Sequence, residues 1–256
     1  MTQMSNAAVD SRWNDAADKW WERPICAFDT ETTGPNPQWA RLVTACVSLI
    51  DIDGTNATVK TTNWLADPGG EIPEGATAVH GITTEYAAEH GRPHDEVVGE
   101  VADALTRAWA NGYIVVAFNA SYDLTLIKKL SRDPFDIAGL VVDPYVIDRK
   151  FDQYRSGKRK LADMCAHYKV AQEDAHQAEG DALAAARLAY KLLRMPAVPD
   201  RRGDLIDWPK LRSLTAEQLM SRQAEWHRER QESFAEYLRK TGKPVDDINF
   251  DWPIQS

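Results

Sequence analysis

Six consecutive residues, Tyr113, Ile114, Val115, Val116, Ala117 and Phe118, make a nearly unbroken apolar run. A strand that alternates apolar and polar side chains can face water on one side, whereas one without alternation must be covered on both. The run therefore calls for a sheet lying between helices, and the neighbouring sequence provides them. Ser121 to Leu130 reads as a helix directly after it, Leu140-Val141-Val142 as a second buried strand, and helical segments follow near 144–151 and 160–168. A last core helix runs from about Glu179 to Leu193 and stops before Pro196.

Ahead of the run the pattern is different. Ile25 to Phe28 is a short apolar strand, Leu42 to Ile52 a second, and Ala57 to Leu65 a third after an Asp53-Gly54 turn. Short turns between three strands imply an antiparallel meander. Thr83 or Thr84 can cap a helix over Glu85 to Glu89, and Pro93 opens a longer one to about Ala110. A meander followed by β-α-β crossovers predicts an α/β fold with a mixed sheet flanked by helices.

The flanks read as additions to that core. Residues 1–10 carry no pattern, and Ser11 to Trp21 suggests a short helix with Trp13, Ala17 and Trp20 on one face. Residues 196–214, with three prolines and Gly203, read as a linker. Thr215 and Gln218 form a capping-box pair opening one long helix that Gly242 and Pro244 stop. The expected units are a tail over 1–23, a core domain over 24–195, the linker over 196–214 and a helical extension over 215–256. At 256 residues, one large core with an appendage is the natural division.

No apolar run approaches the roughly 18 residues a membrane span needs, and the amino terminus lacks a secretory pattern. Cys26, Cys46 and Cys165 are scattered and odd in number, so they read as small buried hydrophobes. A cytoplasmic protein is the expectation. The net charge of −9 argues against coating a long duplex electrostatically, and fits a short single-stranded end gripped locally.

Chemistry concentrates in three segments: Phe28-Asp29-Thr30-Glu31-Thr32-Thr33-Gly34, Asn119-Ala120-Ser121-Tyr122-Asp123 and His176-Gln177-Ala178-Glu179-Gly180-Asp181. Asp29 and Glu31 stand two apart on an extended segment and project to one side. Asp123 falls in the first turn of a helix, where a dipole alone favours an acid. It also follows the carboxyl end of a buried strand, where ligands of α/β proteins gather. Asp181 shares a helix face with Ala178, Ala182, Ala185, Ala186 and Ala189, a face suited to close contact with the sheet. Brought together, four acids cannot keep their charge without divalent cations, and carboxylates are ligands of Mg²⁺ and Mn²⁺. Two such ions about 4 Å apart would clamp the attacking and leaving oxygens of a phosphodiester. His176, on a loop entering the last core helix, is suited to take a proton from the attacking water. Taken singly, it reads better as a solvated loop residue.

Arg149, Lys150, Arg155, Lys158, Arg159 and Lys160 concentrate positive charge around Phe151 and Tyr154. Such a run either follows a phosphate backbone or is simply solvated. Lys158 and Arg159 are its candidate substrate contacts.

In order and approximate distance, the three acidic segments resemble those of the DEDDh 3′-5′ exonucleases, which include the proofreading epsilon subunit of bacterial DNA polymerase III. The stretch from Ile72 to Thr83, with Val79-His80-Gly81, is similar to one found in many proofreading-type members. The likeness covers roughly residues 24–195. It implies an RNase H-like fold with a five-stranded mixed sheet. It also implies a cofactor of two Mg²⁺ or Mn²⁺ ions held by Asp29, Glu31, Asp123 and Asp181, with His176 as general base. Nucleoside 5′-monophosphates would leave a 3′ end. Substrate contacts would come from Thr30, Thr32, Thr33, Gly34, His80 and Asn119. Two residues depart from the family pattern: Phe118 stands where many relatives have histidine, and Thr44 replaces an acid on the second strand.

The expected substrate is the 3′ end of single-stranded DNA. RNA trimming is the near alternative, and a non-catalytic polymerase-docking or nucleic-acid-binding module the remote one. A polymerase is the conceivable protein partner; the oligomeric state is open.

Overall fold

The computed structural model describes residues 19–54, 56–173 and 175–256. Strands β1 (Ile25–Thr32), β2 (Leu42–Asp53) and β3 (Asn56–Asp67) form the antiparallel meander. β4 (Arg92–Pro93), β5 (Ile114–Val116) and β6 (Val141–Val142) join it, each parallel to its neighbour. The sheet order is β4-β3-β2-β1-β5-β6. The expected five strands are thus extended by a sixth, β4, pairing only Arg92 and Pro93 with Ala66 and Asp67. Two residues are too few for periodicity to register, and the proline, lacking an N–H, suits an edge.

Alternation along β1 divides the core into two layers. Cys26 and Phe28 pack with α3 (His94–Ala110) and α4 (Ser121–Leu130), which follow the short helices α1 (Glu74–His80) and α2 (Thr84–His90). Ile25 and Ala27 pack with α6 (Leu161–Tyr168) and α7 (Ala178–Leu192), which follow α5 (Pro144–Phe151). Phe28, Leu105, Ile127 and Leu188 are fully buried, each contributing about 1.5–3 kcal/mol. Cys26, Cys46 and Cys165 are buried free thiols.

Of the helix expected over Ser11 to Trp21, Trp13 and Ala17 lie outside the described residues. Trp20–Glu22 is a 3₁₀ turn whose buried Trp20 donates its indole N–H to the Leu214 carbonyl at 2.7 Å. Residues 196–214 are built into the structure. β7 (Val198–Pro199) and β8 (Leu205–Ile206) make a hairpin, and a 3₁₀ helix over Trp208–Ser213 buries Trp208 and Leu211. The prolines and Gly203 that suggest a linker serve these turns.

The long helix α8 (Ala216–Lys240) begins with the expected capping box between Thr215 and Gln218. It packs on the core by covering the outer edge of β6. Buried Gln223 accepts the Asp143 N–H and donates to the Val141 carbonyl, both at 2.8 Å, and the Met220 sulfur accepts the Val141 N–H. An edge strand left open would present unpaired backbone groups. No helix among the described residues is long and apolar enough to cross a membrane.

Candidate active site

Asp29 and Glu31 continue the β1 side-chain alternation on the α7 side, after Ile25 and Ala27. Register places Glu31 opposite Thr44, and the pairing shifts between Glu31 and Thr32. β1 therefore leaves its ladder just beyond the two acids, a common device for aiming side chains at a site. β5 pairs with β1 only as far as Val116 against Ala27. Past that point the carboxyl ends of the two strands open toward Asp29 on one side and Asn119 on the other.

Asp181 lies in the first turn of α7. Ala178, Ala182, Ala185, Ala186 and Ala189 are all buried, so small side chains let this turn approach the sheet. One carboxylate oxygen from each of Asp29, Glu31 and Asp181 lies within 4.8 Å of the others. Gln172 steadies the last of these, donating to Asp181 Oδ1 at 2.8 Å.

Asp123 comes from the first turn of α4 and is buried. Its Oδ1 accepts the Thr30 N–H at 3.1 Å and the Thr30 hydroxyl at 2.5 Å. Thr30 stands between Asp29 and Glu31 in β1, so the fourth acid is tied to the residue separating the first two. Asp123 belongs to the same electrostatic unit without joining the tight triple.

Burial and mutual repulsion act together here. Desolvation, then Asp123, Glu31 and Asp181, drive the Asp29 carboxyl well above the ordinary carboxylate range. Desolvation followed by Asp181 and Asp123 pushes Glu31 to about 8. Desolvation lifts Asp123 to about 7 against the Thr30 hydrogen bonds, which lower it. A cluster whose acids resist ionisation together is what divalent cations relieve. The all-oxygen donor set suits Mg²⁺ or Mn²⁺.

The remaining candidates fall at several places. His176 occupies the exposed turn before α7 with a left-handed backbone, φ 66°. With Glu31 and His80 it lines a cleft of about 470 Å³. Burial lowers the His80 pKa against a backbone contact from Thr32 that raises it. His80 Nδ1 accepts the Ile82 N–H, while its Nε2 is buried without a partner among the described residues. The Thr32 hydroxyl is held by Tyr122 and the Gly34 carbonyl, and Thr33 Oγ1 accepts the Arg41 N–H at 2.9 Å. Both threonines thus shape the loop after β1. Asn119, at φ 61°, gives its N–H to Asp143.

Lys158 and Arg159 stand apart from the cluster. The half-buried Arg159 donates to Asp148 and the Asp152 carbonyl, and buried Arg155 forms a fork on the same Asp148. Lys158 is exposed and gives its carbonyl to Arg155. Two of the six basic residues, Arg155 and Arg159, thus form an internal ion cluster around one fully buried carboxylate.

Sequence reasoning missed three supports. Asp143 accepts the Asn119, Ala120 and Tyr145 N–H groups and the Trp252 indole, so it fixes the entrance to α4. The local signal was Asp before Pro144, a helix N-cap pair. Tyr122, whose hydroxyl bonds Thr32 and the Gly34 carbonyl, pins the β1 loop to α4. Gln172 had no local signal.

A family model described as an exonuclease of the RNase T type matches residues 26–189. The chain belongs to this exonuclease family. The match runs from β1 through most of α7 and contains all four acids and His176, so the DEDDh-type reading of the motifs holds. Among similar proteins, a DNA polymerase III subunit epsilon-like protein of Rhodobacter capsulatus is 28% identical over 180 residues, covering 68% of this chain and 24% of that one. An uncharacterized exonuclease of Escherichia phage 186 is 34% identical over 129 residues, covering 50% of this chain and 58% of its own length. The chain thus spans about a quarter of the first relative and somewhat over half of the second. The fold resembles E. coli exonuclease I solved with a dT13 oligonucleotide, with a TM-score of 0.56 at 14% identity, covering 67% of this chain and 41% of that one. It also resembles a full-length 3′-exonuclease, with a TM-score of 0.54 at 18% identity, covering 68% and 82%. The RNase H-like family fold is therefore present, with α8 beyond the matched segment.

Proposed function

We propose that this family member is a metal-dependent 3′-5′ exonuclease that removes nucleoside 5′-monophosphates from the 3′ end of single-stranded DNA. The observation that carries this reading is the oxygen triple of Asp29, Glu31 and Asp181, with Asp123 one residue away through Thr30. Those four acids would hold two divalent cations, Mg²⁺ or Mn²⁺. Bound there, the cations would supply Lewis-acid charge to the reacting phosphate oxygens.

The chain's own residues account for the rest of the chemistry. His176, at the lip of the cleft, would accept the proton of the attacking water at its imidazole. The loop Thr32-Thr33-Gly34 and His80 would hold the terminal nucleotide, with Tyr122 and Asp143 fixing the loop and the start of α4. The exonuclease I neighbour was solved with a DNA oligonucleotide, which supports a DNA strand in this cleft. A polymerase partner is suggested by the epsilon-like relative. A cytoplasmic setting completes the proposal.

Digestion of a 5′-labelled oligonucleotide with and without chelator tests it. A ladder shortening from the 3′ end, abolished by chelator and restored by Mg²⁺ or Mn²⁺, is expected. Internal cuts, or turnover indifferent to chelator, would overturn it. Matched DNA and RNA oligomers in the same assay test the sugar preference, and faster RNA decay would reverse it.

A further inference from the structure

Away from the acid cluster, a second cleft of about 470 Å³ lies between α5 and α8, lined by Arg149, Lys150, Trp226, Glu229, Arg230 and Phe234. Lys150 and Glu229 pair at 2.7 Å. Arg149 and Arg230 have no carboxylate partner among the described residues. Arg149 reaches the neutral Tyr145 hydroxyl at 3.1 Å, and its Nε is buried without a partner. Burial lowers the Arg230 pKa, and the charges of Arg149 and Arg159 lower it further. Two guanidinium groups confined near each other in an acidic protein are best relieved by a shared anion, and phosphate matches their geometry.

The surroundings favour a strand over a small ion. Phe118 meets Tyr145 edge-on at 5.5 Å, Arg149 lies over the Tyr145 ring at 5.1 Å, and Arg230 lies over Phe234 at 5.1 Å. This series of rings and cations starts beside Asn119, at the carboxyl end of β5. α5 itself leaves from Asp143, whose carboxylate holds Asn119 and Ala120. Arg149 follows Pro144 by five residues, roughly 8 Å along the helix axis. α5, one wall of the cleft, thus starts at the carboxyl end of the parallel strands, the end of the sheet that carries the acids. Alternating cations and aromatic faces are what a single strand uses, phosphates on one and bases on the other.

We propose that the α5–α8 cleft holds the single-stranded segment on the 5′ side of the scissile nucleotide, with Arg149 and Arg230 on its phosphates and the exposed Phe234 and Tyr237 against its bases. This rests on the exonuclease reading and gives α8, which lies beyond the family match, a share in substrate binding.

The test compares the full chain with R149Q, R230Q and the double variant. Binding of a labelled oligothymidylate of a dozen nucleotides is followed by anisotropy in chelator, where no turnover is expected. Hydrolysis with metal is followed on the same oligomer and on the 4-nitrophenyl ester of thymidine 5′-monophosphate, too small to reach the cleft. The double variant should bind the oligomer about tenfold more weakly, and its log–log salt slope should fall by about 1.4, two charges at about 0.7 each. The small ester should turn over at the wild-type rate. Unchanged binding and slope, or equal losses on both substrates, would overturn the proposal. So would weakened binding of thymidine 5′-monophosphate with oligomer binding intact. If the wild type hydrolyses neither substrate while the double variant still loses oligomer binding, the exonuclease reading fails and the cleft stands.

Discussion

Thr30 gives both its N–H and its hydroxyl to one oxygen of Asp123, at 3.1 and 2.5 Å, while its neighbours in β1 are Asp29 and Glu31. One residue of the central strand therefore sets the position of the acid that comes from α4. Removing the hydroxyl should matter more than its size suggests. Thr30→Val is expected to raise the Mn²⁺ concentration needed for half-maximal turnover by about 10–100-fold, the usual cost of losing a support behind a metal ligand. Thr30→Ser should stay close to wild type. Equal behaviour of the two variants in a metal titration of activity would show that the hydroxyl is idle.

Asp29→Asn should remove measurable turnover without weakening the fold. The wild-type carboxyl is already forced upward by burial and three acidic neighbours, so the neutral amide relieves repulsion. Thermal melting in chelator at pH 8 is expected to place the variant at or above wild type. A variant melting well below it would mean that Asp29 is chiefly structural.

The metal-free protein should lose stability as pH rises from about 4 to about 8. Glu31 and Asp123 titrate at about 8 and about 7 in the fold, against about 4 in an unfolded chain. The native state thus binds more protons in this window. Their contribution is complete below the unfolded range and is lost as pH climbs through the folded values. Melting temperature in chelator should drop by at least a few degrees across the window, and Mg²⁺ or Mn²⁺ at pH 8 should recover it. A flat profile, or one rising with pH in chelator, would contradict the coupling.

Gln223→Ala should cost about 2–4 kcal/mol in urea unfolding, because the Asp143 N–H and Val141 carbonyl lose buried partners and a cavity remains. A loss below about 0.5 kcal/mol, the range of ordinary surface changes, would show that α8 does not seal the β6 edge.

The parts legible in the sequence are those with local signatures. β1 and β5 announce themselves as apolar runs, α4 follows directly, and the alanine face of α7 points to the close approach that brings Asp181 to Asp29 and Glu31. Thr215 and Gln218 mark the start of α8 because a capping box is encoded within one turn. The supports were hidden for the opposite reason. Asp143 reaches back to Asn119, Tyr122 to Thr32 and Gln223 to Val141, and no periodicity links positions so far apart. Part of the basic run was opaque for the same reason: nothing near Arg159 reveals that Asp148 is fully buried and draws two guanidinium groups inward. The residues over 196–214 look like a linker in composition, yet Trp208 stacks on Phe151 at 5.2 Å.

The most direct measurement is anomalous diffraction from crystals soaked in Mn²⁺. Two peaks about 4 Å apart, bounded by Asp29, Glu31, Asp123 and Asp181 and lost together in Asp29→Asn, are the predicted result. Manganese absent from these four carboxylates, or bound only elsewhere on the molecule, would contradict the account.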